Sequence, residues 1–175
     1  MQQRRLAGQR CRPQCPLQRH GRVAMFVVDT NILIYGADRD APDHARCRAL
    51  IERWRVQRTP WYVTWGIVYE FLRVATHPRV LTHPLSPSDA WRFLDALFAA
   101  PQLRLLAETD RHRHVAAEVF AEVPDITGNL VFDAHTAILM RENGIKVIYT
   151  RDTEFNRFPF VDTIDPVTEH RRTSA

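Results

Sequence analysis

Residues 26–33 read Phe26-Val27-Val28-Asp29-Thr30-Asn31-Ile32-Leu33, and this stretch decides the fold class. Its apolar, partly β-branched start predicts a short buried strand. Asp29 and Thr30 follow directly, and both are residue types that cap helix N-termini. The sequence therefore predicts a strand that passes straight into a helix, with Asp29 at the carboxyl end of the strand.

The rest of the chain repeats this alternation. Further strands are predicted at residues 61–64, 103–106, 146–149 and 161–164. Helices are predicted at residues 42–56, 67–75, 86–98, 110–123 and 129–143. The clearest local signal is Ser86-Pro87-Ser88-Asp89, which places a serine cap, a proline and an acid at one helix start. Strands that alternate with helices throughout indicate an α/β domain with a parallel sheet covered by helices.

Length and composition indicate one ordinary globular domain. The chain has 175 residues, of which 45% are hydrophobic and 25% charged. No stretch approaches the roughly 18 apolar residues of a membrane span, so no membrane association is expected. Residues 1–24 carry six arginines and no acid, so residues 25–175 hold 18 basic against 20 acidic side chains. The positive charge therefore belongs to the leader, and it does not indicate a nucleic-acid surface on the domain.

The leader, residues 1–24, is expected to be disordered, because it lacks hydrophobic periodicity. It also lacks the apolar core of a secretory signal, so it is not expected to direct secretion. Met25, directly before the first strand, is an alternative start of the natural chain. Cys11 and Cys15 have no second pair at zinc-finger spacing, so they do not predict a zinc site. Three cysteines cannot form a disulfide framework, which favours a reducing compartment and a cytoplasmic protein.

Four acidic residues lie at positions that are not typical of a solvent-exposed helix face. Asp29 and Asp152 each follow an apolar strand, and ligands of open parallel sheets bind beyond the carboxyl ends of the strands. Glu70 and Asp133 each lie among apolar residues within a predicted helix, where a carboxylate faces a polar cleft or a costly burial. Four carboxylates that converge would repel one another and need a cation, and oxygen ligands favour Mg²⁺ or Mn²⁺. Such an ion assists the hydrolysis of phosphate esters.

Each acid also has a purely structural interpretation. Asp29 could simply cap a helix, and Asp152 could begin a turn. Glu70 could pair with Arg73, and Asp133 could pair with a histidine or an arginine. The histidines at positions 112 and 114 are expected on a solvated helix start rather than in a ligand pair. The four tryptophans are expected mainly in the core or on a dimer surface, and the alternative is that one of them stacks on a base.

The residues that carry these signals also carry a resemblance. The opening Phe26–Leu33 is similar to that of a PIN domain, and the chain resembles the VapC toxins of bacterial toxin–antitoxin pairs. The matching segments follow in family order, with Glu70 in Val68–Arg73, Asp133 in Asn129–Ala137 and Asp152 in Ile148–Phe155. The resemblance covers about residues 25–166. It leaves out the leader and the C-terminal tail, residues 167–175.

The resemblance implies a fold, an activity and partners. It implies a five-stranded parallel sheet in the order 3-2-1-4-5, which sets Asp29 beside Asp152. It implies a Mg²⁺-dependent endoribonuclease whose metal ligands are the four acids, Asp29, Glu70, Asp133 and Asp152. It also implies an RNA substrate, a cognate antitoxin whose C-terminal segment fills the groove, and a homodimer. Asn31 and Thr150 flank the carboxylates and are expected to orient them or a water by hydrogen bonding.

Two alternatives belong to other classes. A phosphatase of the haloacid-dehalogenase type also begins with an aspartate after its first strand, but it needs a second acid two residues later, where this chain has Asn31. The other alternative is a PIN-like module that has lost catalysis and binds RNA or a protein partner. Loss of catalysis would most simply appear as a missing carboxylate, and all four are present.

Overall fold

The computed structural model describes residues 25–168 and 171–172, and strands and helices alternate along them. The strands are β1 Phe26–Val28, β2 Trp61–Thr64, β3 Leu103–Leu106, β4 Val147–Tyr149, β5 Asp162–Ile164 and β6 Arg171–Arg172. The helices are α1 Thr30–Ala37, α2 His44–Val56, α3 Trp65–Ala75, α4 Pro87–Phe98, α5 His112–Glu122 and α6 Leu130–Glu142, with a 3₁₀ helix at Thr153–Arg157. The first five strands and all six helices lie within about two residues of their predicted positions. The predicted leader, residues 1–24, lies outside the described residues.

The strands form one sheet in the order β3-β2-β1-β4-β5-β6. The first five are parallel to their neighbours, which confirms the predicted order 3-2-1-4-5. The two-residue strand β6 pairs antiparallel with β5 and was not predicted, since residues 167–175 were expected to be a tail. A segment of two residues is too short to show the alternating pattern that predicts a strand.

The order of the strands places a crevice above β1 and β4. From β1 the chain moves outward to β2 and β3, and it then returns to the other side of β1 to form β4 and β5. A parallel sheet whose order reverses in this way leaves its ligand crevice at the carboxyl ends of the two central strands. The register pairs Val28 with Tyr149, so Asp29 and Thr150 are the next residues beyond that pair.

The helix ends follow the sequence signals. Ser86 Oγ accepts a hydrogen bond from the backbone N of Asp89 at 3.1 Å, as expected of a cap. Gly144 follows α6 with φ of 67°, the left-handed conformation that glycine adopts most easily. The longest helices have 13 residues. Within the part of the chain that the structure describes, no helix is long and apolar enough to cross a membrane.

An aromatic cluster supports the sheet beneath the crevice. Phe26, Trp54, Trp61 and Tyr149 are buried, with neighbouring ring centroids 4.9–6.0 Å apart. Buried aromatic rings contribute a large apolar area to a core. Two of the four tryptophans therefore belong to the core, as expected. The other two, Trp65 and Trp91, are 45% and 42% exposed.

Candidate active site

Asp29 lies at the carboxyl end of β1 and also caps α1. Its carboxylate Oδ1 accepts from the backbone N of Thr30 at 2.7 Å. Its Oδ2 accepts from Asn31 Nδ2 and from Thr150 Oγ1, both at 2.6 Å. A carboxylate has about four acceptor positions, so these three bonds leave one position on Oδ1. The structural interpretation of Asp29 as a cap is correct, and the same side chain keeps an oxygen lone pair for a ligand.

Asn31 and Thr150 form the support that the sequence predicted for Asp29. Thr150 Oγ1, which donates to Asp29, accepts from Asn31 Nδ2 at 3.0 Å and from the backbone N of Asp152 at 2.8 Å. Asn31 Oδ1 accepts from the backbone N of Arg151 at 3.2 Å. These bonds join the end of β1 to the end of β4 and hold the Asp29 carboxylate in one orientation.

Glu70 reaches the same crevice from α3. Its Oε2 accepts from Thr30 Oγ1 at 2.9 Å, and its Oε1 accepts from Arg73 Nη2 at 3.2 Å. The predicted alternative pairing with Arg73 is therefore present. The bond from Thr30 was not predicted, because Thr30 was considered only as a helix cap. No sequence signal links two side chains that stand 40 positions apart.

Asp133 lies in the first turn of α6 and differs from the other acids. It has neither a hydrogen-bond partner nor an ion-pair partner among the described residues. The structural alternative, a pair with His135 or an arginine, is wrong: His135 Nε2 instead lies 3.3 Å from Glu108 Oε1. Asp133 is thus a carboxylate whose charge no nearby cation balances.

Asp152 follows β4 and caps the 3₁₀ helix. Its Oδ1 accepts from the backbone N of Glu154 at 2.8 Å, so its structural role as the start of a turn is present. Together with Asp29, Glu70 and Asp133 it lines a single cleft of about 1090 Å³. The structure therefore brings the four predicted acids to one place, with Thr150 buried beneath them.

Two carboxyl groups of the cleft, those of Asp29 and Asp133, have raised pKa values. Burial raises the pKa of Asp29 to about 6, against the hydrogen bonds from Thr150 and Thr30, which lower it. Burial, followed by repulsion from Asp29, Asp152 and Glu70, raises the pKa of Asp133 to about 7. Both carboxyl groups therefore carry an electrostatic penalty at neutral pH that a cation would relieve.

The donor atoms of the cleft fit a hard divalent cation. The free acceptor position of Asp29 and both oxygens of Asp133 are carboxylate oxygens, the ligands that Mg²⁺ and Mn²⁺ prefer. Residues 25–168 and 171–172 contain no group of three His, Cys, Asp or Glu side chains that could hold a metal ion by itself. Mg²⁺ is usually held by one or two carboxylates, with water and substrate phosphates as its other ligands. The arrangement fits that mode of binding.

A second polar cluster, the α5–α6 cluster, consists of Thr109, His112 and Glu142. It adjoins the cleft through His135, a lining residue whose ring centroid lies 5.6 Å from that of His112. Glu142 accepts from the backbone N and from Oγ1 of Thr109, both at 2.8 Å, and lies 2.5 Å from His112 Nδ1. The expectation that His112 is solvated was wrong, since it packs against this buried carboxylate. His114, with 74% of its side chain exposed, is solvated as expected.

The fold and the site define a class of α/β proteins that carry a carboxylate cluster at the switch point of a parallel sheet. Within this class, residues 26–161 match the family model of the PIN domain. Ribonuclease VapC43 of Mycobacterium tuberculosis is 37% identical to this chain over 134 residues, which are 77% of the chain and 90% of that protein. Ribonuclease VapC48 of the same organism is 33% identical over 138 residues, 79% of the chain and 94% of that protein. The chain belongs to the PIN-domain family, among the VapC ribonucleases.

Solved structures agree on the fold. The VapBC2 complex of Rickettsia felis, bound to a DNA fragment from its promoter, matches with a TM-score of 0.58 and 15% identity, over 79% of this chain and 96% of that one. FitAcB from Neisseria gonorrhoeae matches with a TM-score of 0.59 and 16% identity, over 82% of this chain and 99% of that one. At these identities the likeness supports the fold alone.

Proposed function

We propose that this chain is a metal-dependent endoribonuclease and the toxin of a toxin–antitoxin pair. The observation that carries the proposal is the convergence of Asp29, Glu70, Asp133 and Asp152 on one cleft, where Asp133 has no partner among the residues that the structure describes. The ribonuclease names of relatives up to 37% identical support the same activity. RNA is therefore the proposed substrate and the cytoplasm the proposed location.

Asp29 and Asp133 are proposed as the main metal ligands, with Glu70 and Asp152 completing the cluster directly or through water. The chemistry that Mg²⁺ or Mn²⁺ would supply is neutralisation of phosphate charge and acidification of the attacking water. The chain's own part is to hold the carboxylates in place. Asn31 and Thr150 fix Asp29, and this support keeps one of its oxygens available.

Glu70 is proposed to act from the opposite side of the cleft. Thr30 holds one of its oxygens, and Arg73 holds the other through an exposed ion pair. Because surface ion pairs are weak, Arg73 can exchange this carboxylate for a substrate phosphate at little cost. Thr30 thus positions Glu70 as Thr150 positions Asp29.

The partners are proposed on similar grounds. Solved relatives in this fold include the VapBC2 complex and the FitAB complex bound to DNA. An antitoxin that covers the acidic cleft is the corresponding partner here, and a second copy of the chain is the proposed dimer partner. Light scattering of the purified chain, alone and with the product of an adjacent reading frame, tests both assemblies.

Incubation of the purified full chain with total RNA tests the activity. Cleavage is expected with Mg²⁺ or Mn²⁺, and it should stop in EDTA and resume when the metal is returned. The Asp29→Asn protein, purified alongside, controls for contaminating ribonuclease. RNA that is bound but left intact under every metal condition would instead support the alternative, a PIN-like binding module without catalysis.

A further inference from the structure

Two aromatic side chains stand beside the acids of the cleft with most of their surface exposed. Tyr69 is 64% exposed and precedes Glu70 on α3, and Phe132 is 70% exposed and precedes Asp133 on α6. They are the most exposed phenylalanine, tyrosine or tryptophan residues that the structure describes. Both line the cleft that holds the acids.

Their placement has no explanation in the packing of the domain. Tyr69 contacts Trp65, with ring centroids 5.8 Å apart, but neither Tyr69 nor Phe132 belongs to the core. A single exposed apolar side chain is ordinary on a protein surface. Two large rings from different helices at the rim of one concave polar site are the pattern of a binding surface.

The charge of the cleft shows why such rings would be needed. Its lining contains six acidic side chains and a single arginine or lysine, Arg73, which is paired with Glu70. RNA binding usually draws its affinity from contacts between basic side chains and phosphates. Besides Arg73 and a bound cation, this lining offers no arginine or lysine for phosphates, so contacts that do not depend on charge would add to substrate affinity.

We propose that Tyr69 and Phe132 stack on unpaired bases next to the phosphate that is cleaved. This inference rests on the proposed function, because the rings line the same cleft as the four acids and each precedes one of those acids in sequence. Aromatic side chains stack on bases of any sequence, and only unpaired, unstacked bases offer the necessary face. The substrate class is therefore single-stranded RNA or a loop, and a continuous RNA duplex is excluded from the cleft.

Kinetics on a short single-stranded RNA that the parent protein cleaves test the proposal. Tyr69→Ala and Phe132→Ala should each raise KM about fivefold or more, as expected for the loss of one stacked base. The conservative variants Tyr69→Phe and Phe132→Trp should keep KM near that of the parent, because they keep a ring. Phe120→Ala is the matched control, since Phe120 is 46% exposed on α5 but does not line the cleft.

Abasic substrates identify the stacked bases. An abasic nucleotide beside the cleaved bond should raise KM for the parent protein. In the variant that lacks the ring for that base, the same abasic substitution should have little further effect. If the ring deletion and the abasic substitution raise KM by independent factors at every position, the rings and the bases do not touch. That result would overturn the proposal.

The remaining outcomes separate this inference from the proposed function. If the parent cleaves RNA and both alanine variants keep its KM, the stacking proposal fails while the ribonuclease proposal stands. If no RNA is cleaved with Mg²⁺ or Mn²⁺ in the presence of the parent, the ribonuclease proposal itself fails. A raised KM accompanied by a changed molar mass in light scattering would assign the rings to a protein–protein contact and overturn the stacking proposal.

Discussion

The two ends of α6 carry carboxylates in opposite electrostatic states. Asp133 in the first turn has no partner among the described residues, and burial and repulsion raise its pKa to about 7. Glu142 at the last residue of the helix is also buried, which raises its pKa, but hydrogen bonds from Thr109 and His112 outweigh burial and lower it. One helix therefore presents an unbalanced carboxylate at one end and a balanced one at the other.

The helix dipole would predict the reverse. It favours an anion near the N-terminus, where Asp133 lies, and disfavours one at the C-terminus, where Glu142 lies, by about 0.3–1 kcal/mol. The pKa shifts run the other way, because burial dominates at Asp133 and the hydrogen bonds from Thr109 and His112 dominate at Glu142. In the α5–α6 cluster the fold provides its own partners for the charge, whereas in the cleft it gathers four acids and gives Asp133 no partner among the described residues.

Neutralising a cleft acid should cost activity far more than stability. Asp29→Asn keeps a residue that caps helices well, so the fold should persist. The amide nitrogen that replaces Oδ2 cannot accept from Asn31 and Thr150, so the free energy of unfolding should fall somewhat. The amide removes a negative charge from the proposed metal site, and cleavage should fall by more than about 100-fold, since loss of a supporting residue alone typically costs 10–100-fold. Initial rates on RNA, with circular dichroism as the test of folding, measure this. Asp38→Asn, on the same cleft but outside the proposed ligand set, is the matched control. A folded Asp29→Asn protein that cleaves at the parental rate would remove Asp29 from the metal site.

Neutralising Glu142 should show the opposite division of effects. In the parent, both carboxylate oxygens of Glu142 accept hydrogen bonds. In Glu142→Gln an amide nitrogen replaces one of these oxygens and cannot accept, so the free energy of unfolding should fall by about 1–3 kcal/mol. The stabilisation by Mg²⁺ should remain that of the parent. Urea unfolding with Mg²⁺ and with EDTA measures both quantities. Glu122→Gln, an exposed acid paired with Arg141, is the control and should cost less than about 1 kcal/mol. Equal losses for the two variants would contradict the comparison.

The two ends of α6 also differ in how well the sequence predicted them. Asp133 was singled out because an acid among apolar residues is unusual on a helix and because its segment follows the family order. The partners of Glu142 were not found, since Thr109 lies 33 positions away and His112 looked like part of a solvated helix start. Local patterns predicted the strands, the helices and the acids. They could not predict contacts between distant polar side chains, such as Thr30 with Glu70, because these depend on how the helices pack across the sheet.

Asp133→Asn should stabilise the metal-free protein. Removing one charge relieves the repulsion from the other acids, and the gain should be about 1 kcal/mol, equivalent to roughly one pKa unit. The variant should also lose most of the stabilisation that Mg²⁺ gives the parent, because a proposed ligand is gone. Thermal unfolding in EDTA and in Mg²⁺ measures both effects. A lower melting temperature for Asp133→Asn in EDTA would mean that Asp133 has a structural role, and would move it out of the metal site.

The pH dependence of that gain is the smallest expected effect and separates charge repulsion from packing. The folded pKa of Asp133 is raised from 3.8 to about 7, so its favourable contribution is present below pH 3.8 and is lost as the pH rises through about 7. The advantage of Asp133→Asn over the parent in EDTA should therefore be small at pH 5 and reach its full size by pH 8. The His83–Asp40 pair raises the pKa of His83 and also weakens as the pH rises, but it is the same in both proteins and cancels in the difference. An advantage of equal size at pH 5 and pH 8 would show that the amide stabilises the protein through contacts rather than through the removal of charge. The cleft would then lack the uncompensated carboxylate that distinguishes it from the other end of α6.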